Sequence, residues 1–343
     1  MKKPIILVLV LCLLIPSAVM AASNKGFKVA VSNSFITHSW RTQMVNDLQK
    51  RVALYEGKGW ISDFQIQHAG PDVDLQRSHI QNFIDSGVDI LIIDPVSLTA
   101  LNPVIEDAVD AGIVTVISDE PVTSKAPYVV LPTHDVWMEK LAKYVFNRMG
   151  GKGNVVYLSG IDGAPASDMR DRGFERALKQ YPNINLLAKV FGSWDPALAQ
   201  QAMADALAAY PKIDGVVAHD GQCLSVIRAF EAANRPQPVV NGSGFRPFFE
   251  YWVKNLSKGF TSYAIANGPG NAITIALGVG VRIKMGKKPK PGVWDGKVLK
   301  VDHANIITDA NVKKVLEEHV RYRGVEDYID EVRSEEFMDS LFQ

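Results

Sequence analysis

The sequence predicts an α/β fold in which two doubly wound parallel-sheet lobes are joined by a hinge. Short runs rich in Val and Ile alternate with amphipathic stretches from Phe27 onward, and repeated βα units require a parallel sheet with right-handed crossovers. Several runs are continuously apolar, which is typical of strands buried on both faces. The candidate strands are too many for a single sheet of ordinary size, so we expect two sheets.

Strands and helices follow one another in a regular order. The candidate strands are Phe27–Ser32, Phe64–His68, Asp89–Asp94, Ile113–Ser118, Asn154–Ser159, Leu186–Phe191, Ile213–Ala218, Pro238–Asn241 and Thr261–Ala266. Between them, Leu75–Ser86 carries its apolar residues on one helical face. Pro196–Tyr210 is Ala-rich and is followed by Pro211, which is typical of the end of a helix.

The amino terminus has the pattern of a secretory signal peptide. Lys2 and Lys3 precede an apolar stretch from Ile5 to Ile15, and small residues follow up to Ala21. The apolar stretch is too short for a spanning helix. We therefore predict that residues 1–21 are removed and that the mature protein is periplasmic.

The lobe boundaries are predicted from the loops. Pro127 and Pro132 bracket a segment where the chain is expected to leave the first lobe, and Asn267–Gly270 is expected to bring it back. The first lobe then comprises residues 22–132 plus about 268–300. The second comprises residues 133–267 plus about 301–343, whose charged last stretch is predicted to pack as surface helices.

Composition excludes several functional classes. The chain carries 37 Lys and Arg against 37 Asp and Glu, so electrostatic binding of nucleic acid or anionic lipid is not expected. The histidines show no zinc spacing with acids or cysteine, and no phosphate-loop or nucleophile motif is present. We expect a monomer that has no metal, no cofactor and no enzymatic activity.

Polar residues follow the predicted strands at the points where they end. Asp94 closes DILIID, Asp119 closes IVTVISD, Asp220 follows IDGVVAH, and Asn267 closes SYAIAN. Because the carboxyl ends of parallel strands border the crevice where open α/β sheets bind ligands, these side chains are candidate ligand contacts. Asp220 could equally cap the helix that follows it.

Longer motifs resemble one known family. The segments that carry the resemblance are KVAVSNSFITHSWRTQM, GVDILIIDPVSLTALNPVIEDAVDAGIVTVISDEP, GNVVYLSGIDGAPASDMRDRGFERAL, SWDPALAQQAMADALAAYPKIDGVVAHDG and SYAIANGPGNAITIAL. In order and spacing they are similar to the type I periplasmic solute-binding proteins, the ribose- and galactose-binding group of ABC sugar importers. The resemblance implies a receptor that closes two lobes around a sugar and delivers it to a membrane permease.

The same resemblance implies a set of ligand-binding residues. They are His38, Trp40, Arg41, Asp94, Asp119, Arg170, Trp194, Asp220 and Asn267. Three positions depart from the family pattern: Arg41 stands where a second aromatic is common, Glu120 where an Arg is frequent, and Ser243 where an Asp is common. Thr133, near a lobe crossing, is a weaker candidate.

The acids in this set favour a neutral ligand. Uncompensated carboxylates in a closed cleft are costly, so we expect a sugar or polyol, with an amino-bearing solute as the alternative and an acidic ligand disfavoured. Rim hydroxyls suit carboxylates and guanidinium, and sugar faces suit aromatic rings. A periplasmic co-receptor for a sensor kinase or chemoreceptor would use the same pocket and stays open as an alternative.

Overall fold

The computed structural model describes residues 26–36, 39–303, 305–324, 327–329 and 333–343. The predicted signal peptide and His38 lie outside these ranges. None of the helices within them combines the length and apolar character needed to span a bilayer.

The described part of the chain alternates strands and helices as predicted. The strands are β1 (Phe27–Asn33), β2 (Ile61–His68), β3 (Ile90–Ile93), β4 (Val114–Ser118), β5 (Tyr128–Pro132), β6 (Lys152–Ser159), β7 (Asn183–Phe191), β8 (Gly215–Ala218), β9 (Val239–Val240), β10 (Tyr263–Ile265), β11 (Val298–Val301) and β12 (Ile306–Thr308). The helices are α1 (Ser39–Gly57), α2 (Val73–Asp85), α3 (Asn102–Asp110), α4 (His134–Arg148), α5 (Pro165–Leu178), α6 (Pro196–Ala209), α7 (Cys223–Ala232), α8 (Arg246–Asn255), α9 (Gly270–Lys284), α10 (Val312–Arg323) and α11 (Glu335–Ser340).

The strands form two separate parallel sheets. The first sheet has the order β11-β5-β4-β3-β1-β2, and the second has the order β7-β6-β8-β9. Every pair within these sheets is parallel. A short antiparallel pair, β10 with β12, joins the second lobe through an isolated bridge between Gly242 and Ala264. The predicted fold class is confirmed, both by this topology and by structural neighbours described below.

Each sheet is covered by helices on both faces. In β3, Ile90 and Ile92 pack with α1 and α9, whereas Leu91 and Ile93 pack with α2 and α3. The second sheet is divided in the same way by its own two hydrophobic clusters. This is why the inner strands are continuous apolar runs, since a strand covered on both sides has no face left for solvent.

Three strands have no counterpart in the predicted set. They are β5, β11 and β12. β5 lies between two prolines, where we expected a lobe boundary, yet it pairs with both β4 and β11. β11 lies at the sheet edge and alternates buried with more exposed residues, so it lacks the continuous apolar pattern used to find the inner strands.

The tail divides between the two lobes. α10 packs on α8 of the second lobe, but α11 packs on α9, which belongs to the first. Met338, Leu341 and Phe342 are part of the hydrophobic core of the first lobe, and Trp294 Nε1 donates to the Leu341 carbonyl at 3.0 Å. The end of the chain thus packs differently from the expectation that residues 301–343 belong to the second lobe.

Met338→Ala tests this packing of the tail. The side chain is fully buried, so its truncation should lower the free energy of unfolding by about 2–5 kcal/mol in a denaturant titration. Ser340→Ala, an exposed position on the same helix, should change it by less than about 0.5 kcal/mol. Equal small effects for both variants would show that α11 is not docked in the core.

Candidate functional site

The two lobes enclose a cleft at the carboxyl ends of their strands. The strand order reverses at β1 and β3 in the first sheet and at β6 and β8 in the second, and ligands of open α/β sheets bind at such switch points. The cleft is narrow in this structure, with a cavity volume of about 30 Å³. It is lined by Trp40, Arg41, Asp119, Glu120, Ala166, Arg170, Trp194, Asp220 and Tyr328.

Arg41 gathers the acids of the first lobe. It lies in the first turn of α1, and its guanidinium is 2.9 Å from Asp94 Oδ2 and 3.2 Å from Asp119 Oδ2. Glu120 Oε1 lies 3.6 Å from the same group. The hydroxyl of Ser34 donates to Asp94 Oδ2 at 2.7 Å. This cation therefore offsets part of the negative charge that the first lobe brings into the cleft.

Burial and neighbouring charges shift the pKa values of these acids in different directions. Burial raises the pKa of Asp94 to about 6, although Arg41 opposes the shift. Burial also raises the pKa of Glu120 well above its ordinary value, and the neighbouring Asp94 charge adds to this. For Asp119, burial acts in the same direction but is outweighed by Arg41 and His134, so its pKa is lowered. Asp119 is thus the carboxylate of this group with the strongest preference for the ionised form.

Arg170 has the corresponding role in the second lobe. Its guanidinium lies 3.1 Å from Asp220 Oδ2, and the amide of Asn267 donates to the same oxygen at 2.7 Å. His134 connects the two lobes, since Nδ1 is 3.4 Å from Arg170 and Nε2 is 3.4 Å from Asp119 Oδ1. Each lobe therefore presents an aspartate that pairs with an arginine of the same lobe, Asp119 with Arg41 and Asp220 with Arg170.

Trp194 forms an aromatic wall of the second lobe. The guanidinium of Arg170 lies between this ring and that of Trp137, at 5.5 and 5.1 Å. Trp194 Nε1 donates to His219 Nδ1 at 3.3 Å. The backbone of Trp194 is left-handed, with φ of 54°. Its ring lies so close to Gly160 that an added Cβ there would come within 2.2 Å.

Two buried carboxylate oxygens of the cleft are poorly satisfied, one from each lobe. Asp220 Oδ1 makes no hydrogen bond, and Asp119 Oδ1 has only the long contact of 3.4 Å to His134 Nε2. An unsatisfied buried acceptor costs free energy. Asp119 also has the left-handed backbone, with φ of 68°, and strain of this kind collects at ligand-binding sites. Together these features suit a ligand that donates hydrogen bonds to both lobes.

Comparisons with known proteins bear on this geometry. A sequence model for the periplasmic binding protein domain matches residues 29–288. The chain belongs to this family. Its members are solute-binding proteins rather than enzymes, and the family implies a periplasmic location. The predicted resemblance to the type I periplasmic sugar-binding group is confirmed.

Individual relatives are moderately similar. The chain is 32% identical to the xylitol-binding protein of Mycolicibacterium smegmatis over 180 residues, 51% of this chain, and the match spans about half of that relative (52%). It is 25% identical to the ribose import binding protein of Bacillus subtilis over 257 residues, 71% of this chain and 82% of that one. The crystal structure of an ABC transporter solute binding protein from Thermobispora bispora has a TM-score of 0.77 at 25% identity, covering 92% of this chain and 94% of that one.

Against this family background, most of the predicted ligand residues come together. Six of them line the cleft, namely Trp40, Arg41, Asp119, Arg170, Trp194 and Asp220. Asp94 and Asn267 lie one layer behind: Asp94 is fully buried against Arg41, and Asn267 orients Asp220 while its carbonyl accepts from Trp40 Nε1 at 3.0 Å. His38 lies outside the described residues.

The sequence analysis leaves the roles of Glu120, Ser243 and Thr133 undecided and does not identify Tyr328. Glu120, whose role was undecided, lines the cleft. Ser243 instead accepts from Gly221 N at 3.4 Å, and Thr133 donates to Asp302 Oδ1 at 2.7 Å. Tyr328 was not considered, because it lies in the tail outside every motif quoted above. Within the described ranges, no cluster of three or more His, Cys, Asp or Glu side chains is arranged to hold a metal ion.

The raised pKa values predict how the stability of the unliganded protein depends on pH. The folded state keeps protons on Asp94 and Glu120 that the unfolded chain releases near pH 4. This stabilisation is complete below pH 4 and is lost as the pH rises through the folded pKa values. Each of these groups, and Asp220, whose pKa burial also raises, should therefore lower the free energy of unfolding as the pH rises from 4 to 7, by at most about 1.4 kcal/mol per pH unit. Burial lowers the pKa values of His68, His79, His219 and His303, which act in the opposite direction over the same range. The contribution of one acid is therefore measured as a difference in slope between two variants in denaturant titrations.

Glu120→Gln provides the matched test of that slope. Removing this group, whose pKa is raised, should make the free energy of unfolding fall less, or rise more, between pH 4 and 7 than in the wild type, whereas Glu175→Gln, an exposed acid on α5, should leave the wild-type slope unchanged. Equal slopes in all three proteins would contradict the assignment.

Proposed function

We propose that this protein captures a neutral monosaccharide or related polyol between its two lobes and delivers it to an ABC importer in the periplasm. The observation that carries the proposal is the pair of carboxylates of Asp119 and Asp220, which line one cleft from opposite lobes and each keep one poorly satisfied oxygen. A ligand with hydroxyls around its rim can donate to both at once. Hydrogen bonds to charged groups contribute about 1.5–3 kcal/mol each.

The aromatic rings support a sugar-like ligand. Trp40 contributes from the first lobe and Trp194 from the second. Such rings cover the C–H faces of a sugar, while the carboxylates and guanidinium groups address its rim. The relatives whose names specify a xylitol, ribose or galactofuranose ligand are consistent with this chemistry.

The charge balance supports a neutral ligand. The site holds four acids (Asp94, Asp119, Glu120 and Asp220) against Arg41 and Arg170. Burial already raises the pKa values of three of these acids, Asp94, Glu120 and Asp220, so an acidic ligand would add negative charge where it is held only at a high desolvation cost. A neutral polyol adds none.

Contacts from both lobes supply the reason for closure. A ligand stabilises the closed form by the difference between its contacts in the closed and the open state. Because Asp119 and Asp220 belong to different lobes, a ligand can reach both only when the lobes are together. We propose that the permease recognises this closed form, that the mature chain begins after Ala21, and that it acts as a monomer without nucleic acid.

Calorimetric titration with a panel of neutral and acidic solutes tests the proposed function. The neutral members are D-ribose, D-galactose, xylitol and myo-inositol, and the acidic members are D-galacturonate and D-gluconate. At least one neutral member should bind with a Kd in the micromolar range or below. Preference for the acids, or an absence of binding across the panel, would overturn the proposal.

Asp119→Asn tests the contact itself. Asn tolerates the left-handed backbone of this position but lacks the charge, so the Kd for the panel member bound best should rise at least tenfold. Asp107→Asn, an exposed acid on α3, is the control and should leave the Kd unchanged. An unchanged Kd in Asp119→Asn would remove this carboxylate from the site.

A further inference from the structure

One wall of the cleft comes from the tail of the chain. Tyr328 lines the same cavity as Trp40, Trp194 and Asp220, although it lies 40 residues beyond the last position that matches the family. Its side chain is buried, with a relative exposure of 6%. The tail therefore reaches into the ligand space rather than only covering the outside of a lobe.

The first lobe holds the backbone of Tyr328 through the side chain of Gln43. Gln43 on α1 donates from Nε2 to the Tyr328 carbonyl at 2.8 Å and accepts from the Tyr328 amide at Oε1, at 3.0 Å. The carboxamide thus pairs with both backbone groups of one residue, as a neighbouring strand would. Gln43 is itself buried, so each of these bonds is shielded from competition with water.

The second lobe holds the residues on either side. Ile329 donates to the Gly244 carbonyl at 2.7 Å, and Arg246 donates to the Asp327 carbonyl at 2.6 Å. The rings of Phe245 and Tyr328 lie 5.3 Å apart. The three-residue segment Asp327–Ile329 is therefore anchored to both lobes at once.

Gly221 leaves room for the phenol of Tyr328 close to Asp220. A Cβ at this position would lie 2.6 Å from Tyr328 Oη, and its φ of 70° is left-handed. Gly221 directly follows Asp220, so the hydroxyl of Tyr328 comes close to the backbone of a ligand-binding loop. Burial and the charge of Asp220 raise the pKa of Tyr328, so the phenol remains a neutral hydrogen-bond donor.

We propose that Tyr328 is a ligand-contacting residue supplied by the tail, and that Gln43 is the positioning residue that fixes it in the cleft. The inference rests on the proposed function, because it assigns a further contact to the same solute.

Tyr328→Ala and Gln43→Leu, measured with the panel member that the wild-type protein binds best, test this proposal. Each variant should raise the Kd at least tenfold, mainly through faster dissociation in stopped-flow measurements. The double variant should bind no more weakly than Tyr328→Ala alone, because Gln43 acts only through Tyr328. Tyr322→Ala, an exposed tyrosine of α10 (relative exposure 74%), is the control and should leave both constants unchanged.

The possible results separate this inference from the proposed function. Wild-type binding with an unchanged Kd in Tyr328→Ala overturns the inference and leaves the proposed function standing. Fully additive losses in the double variant overturn the positioning role of Gln43. If the wild-type protein binds no panel member, the proposed function fails and the inference fails with it. Should Gln43→Leu not fold, the comparison of Tyr328→Ala with Tyr322→Ala still decides whether the tail contacts the solute.

Discussion

The site depends on buried ion pairs that centre on one arginine in each lobe. Arg41 holds Asp94 and Asp119 in the first lobe, and Arg170 holds Asp220 in the second. Without these guanidinium groups, the carboxylates would be desolvated and unpaired, a state that costs several kcal/mol. Because each pair lies within one lobe, each half of the site can be formed before the lobes close. The arginines contact the Oδ2 atoms, so Asp119 Oδ1 and Asp220 Oδ1 remain available to accept hydrogen bonds from the solute.

Second-layer groups keep those oxygens in place. Asn267 donates to Asp220 Oδ2, and Ser34 donates to Asp94 Oδ2. Trp194 is fixed by His219, whose Nε2 lies 2.6 Å from the hydroxyl of Tyr157. Ligand contacts of this kind gain affinity because the free protein has already ordered the side chains that make them.

Much of this arrangement can be predicted from the sequence. Polar residues at the ends of Val- and Ile-rich runs, such as Asp119 and Asp220, must fall along one edge of a parallel sheet. The inner strands were found for the same reason, since burial on both faces leaves a continuous apolar run. The two-lobe fold follows from the number of such runs.

The remainder depends on contacts between residues far apart in the chain. Asp94 has the same local pattern as Asp119, yet Asp119 lines the cleft whereas Asp94 is fully buried against Arg41. Tyr328 and α11 belong to a tail with scattered apolar positions, and no periodicity reveals which lobe such a segment covers. An edge strand such as β11 is hard to predict for a related reason. Half of its residues are not buried, so it has no continuous apolar run.

A crystal structure with a bound neutral polyol would test the central claim most directly. The decisive measurement is the distance from Asp119 Oδ1 and from Asp220 Oδ1 to the nearest hydroxyl of the solute. The account predicts that both distances fall within about 3.0 Å, as for O–H···O bonds. A solute bound in the cleft that leaves both oxygens to water, or one bound outside the cleft, would contradict it.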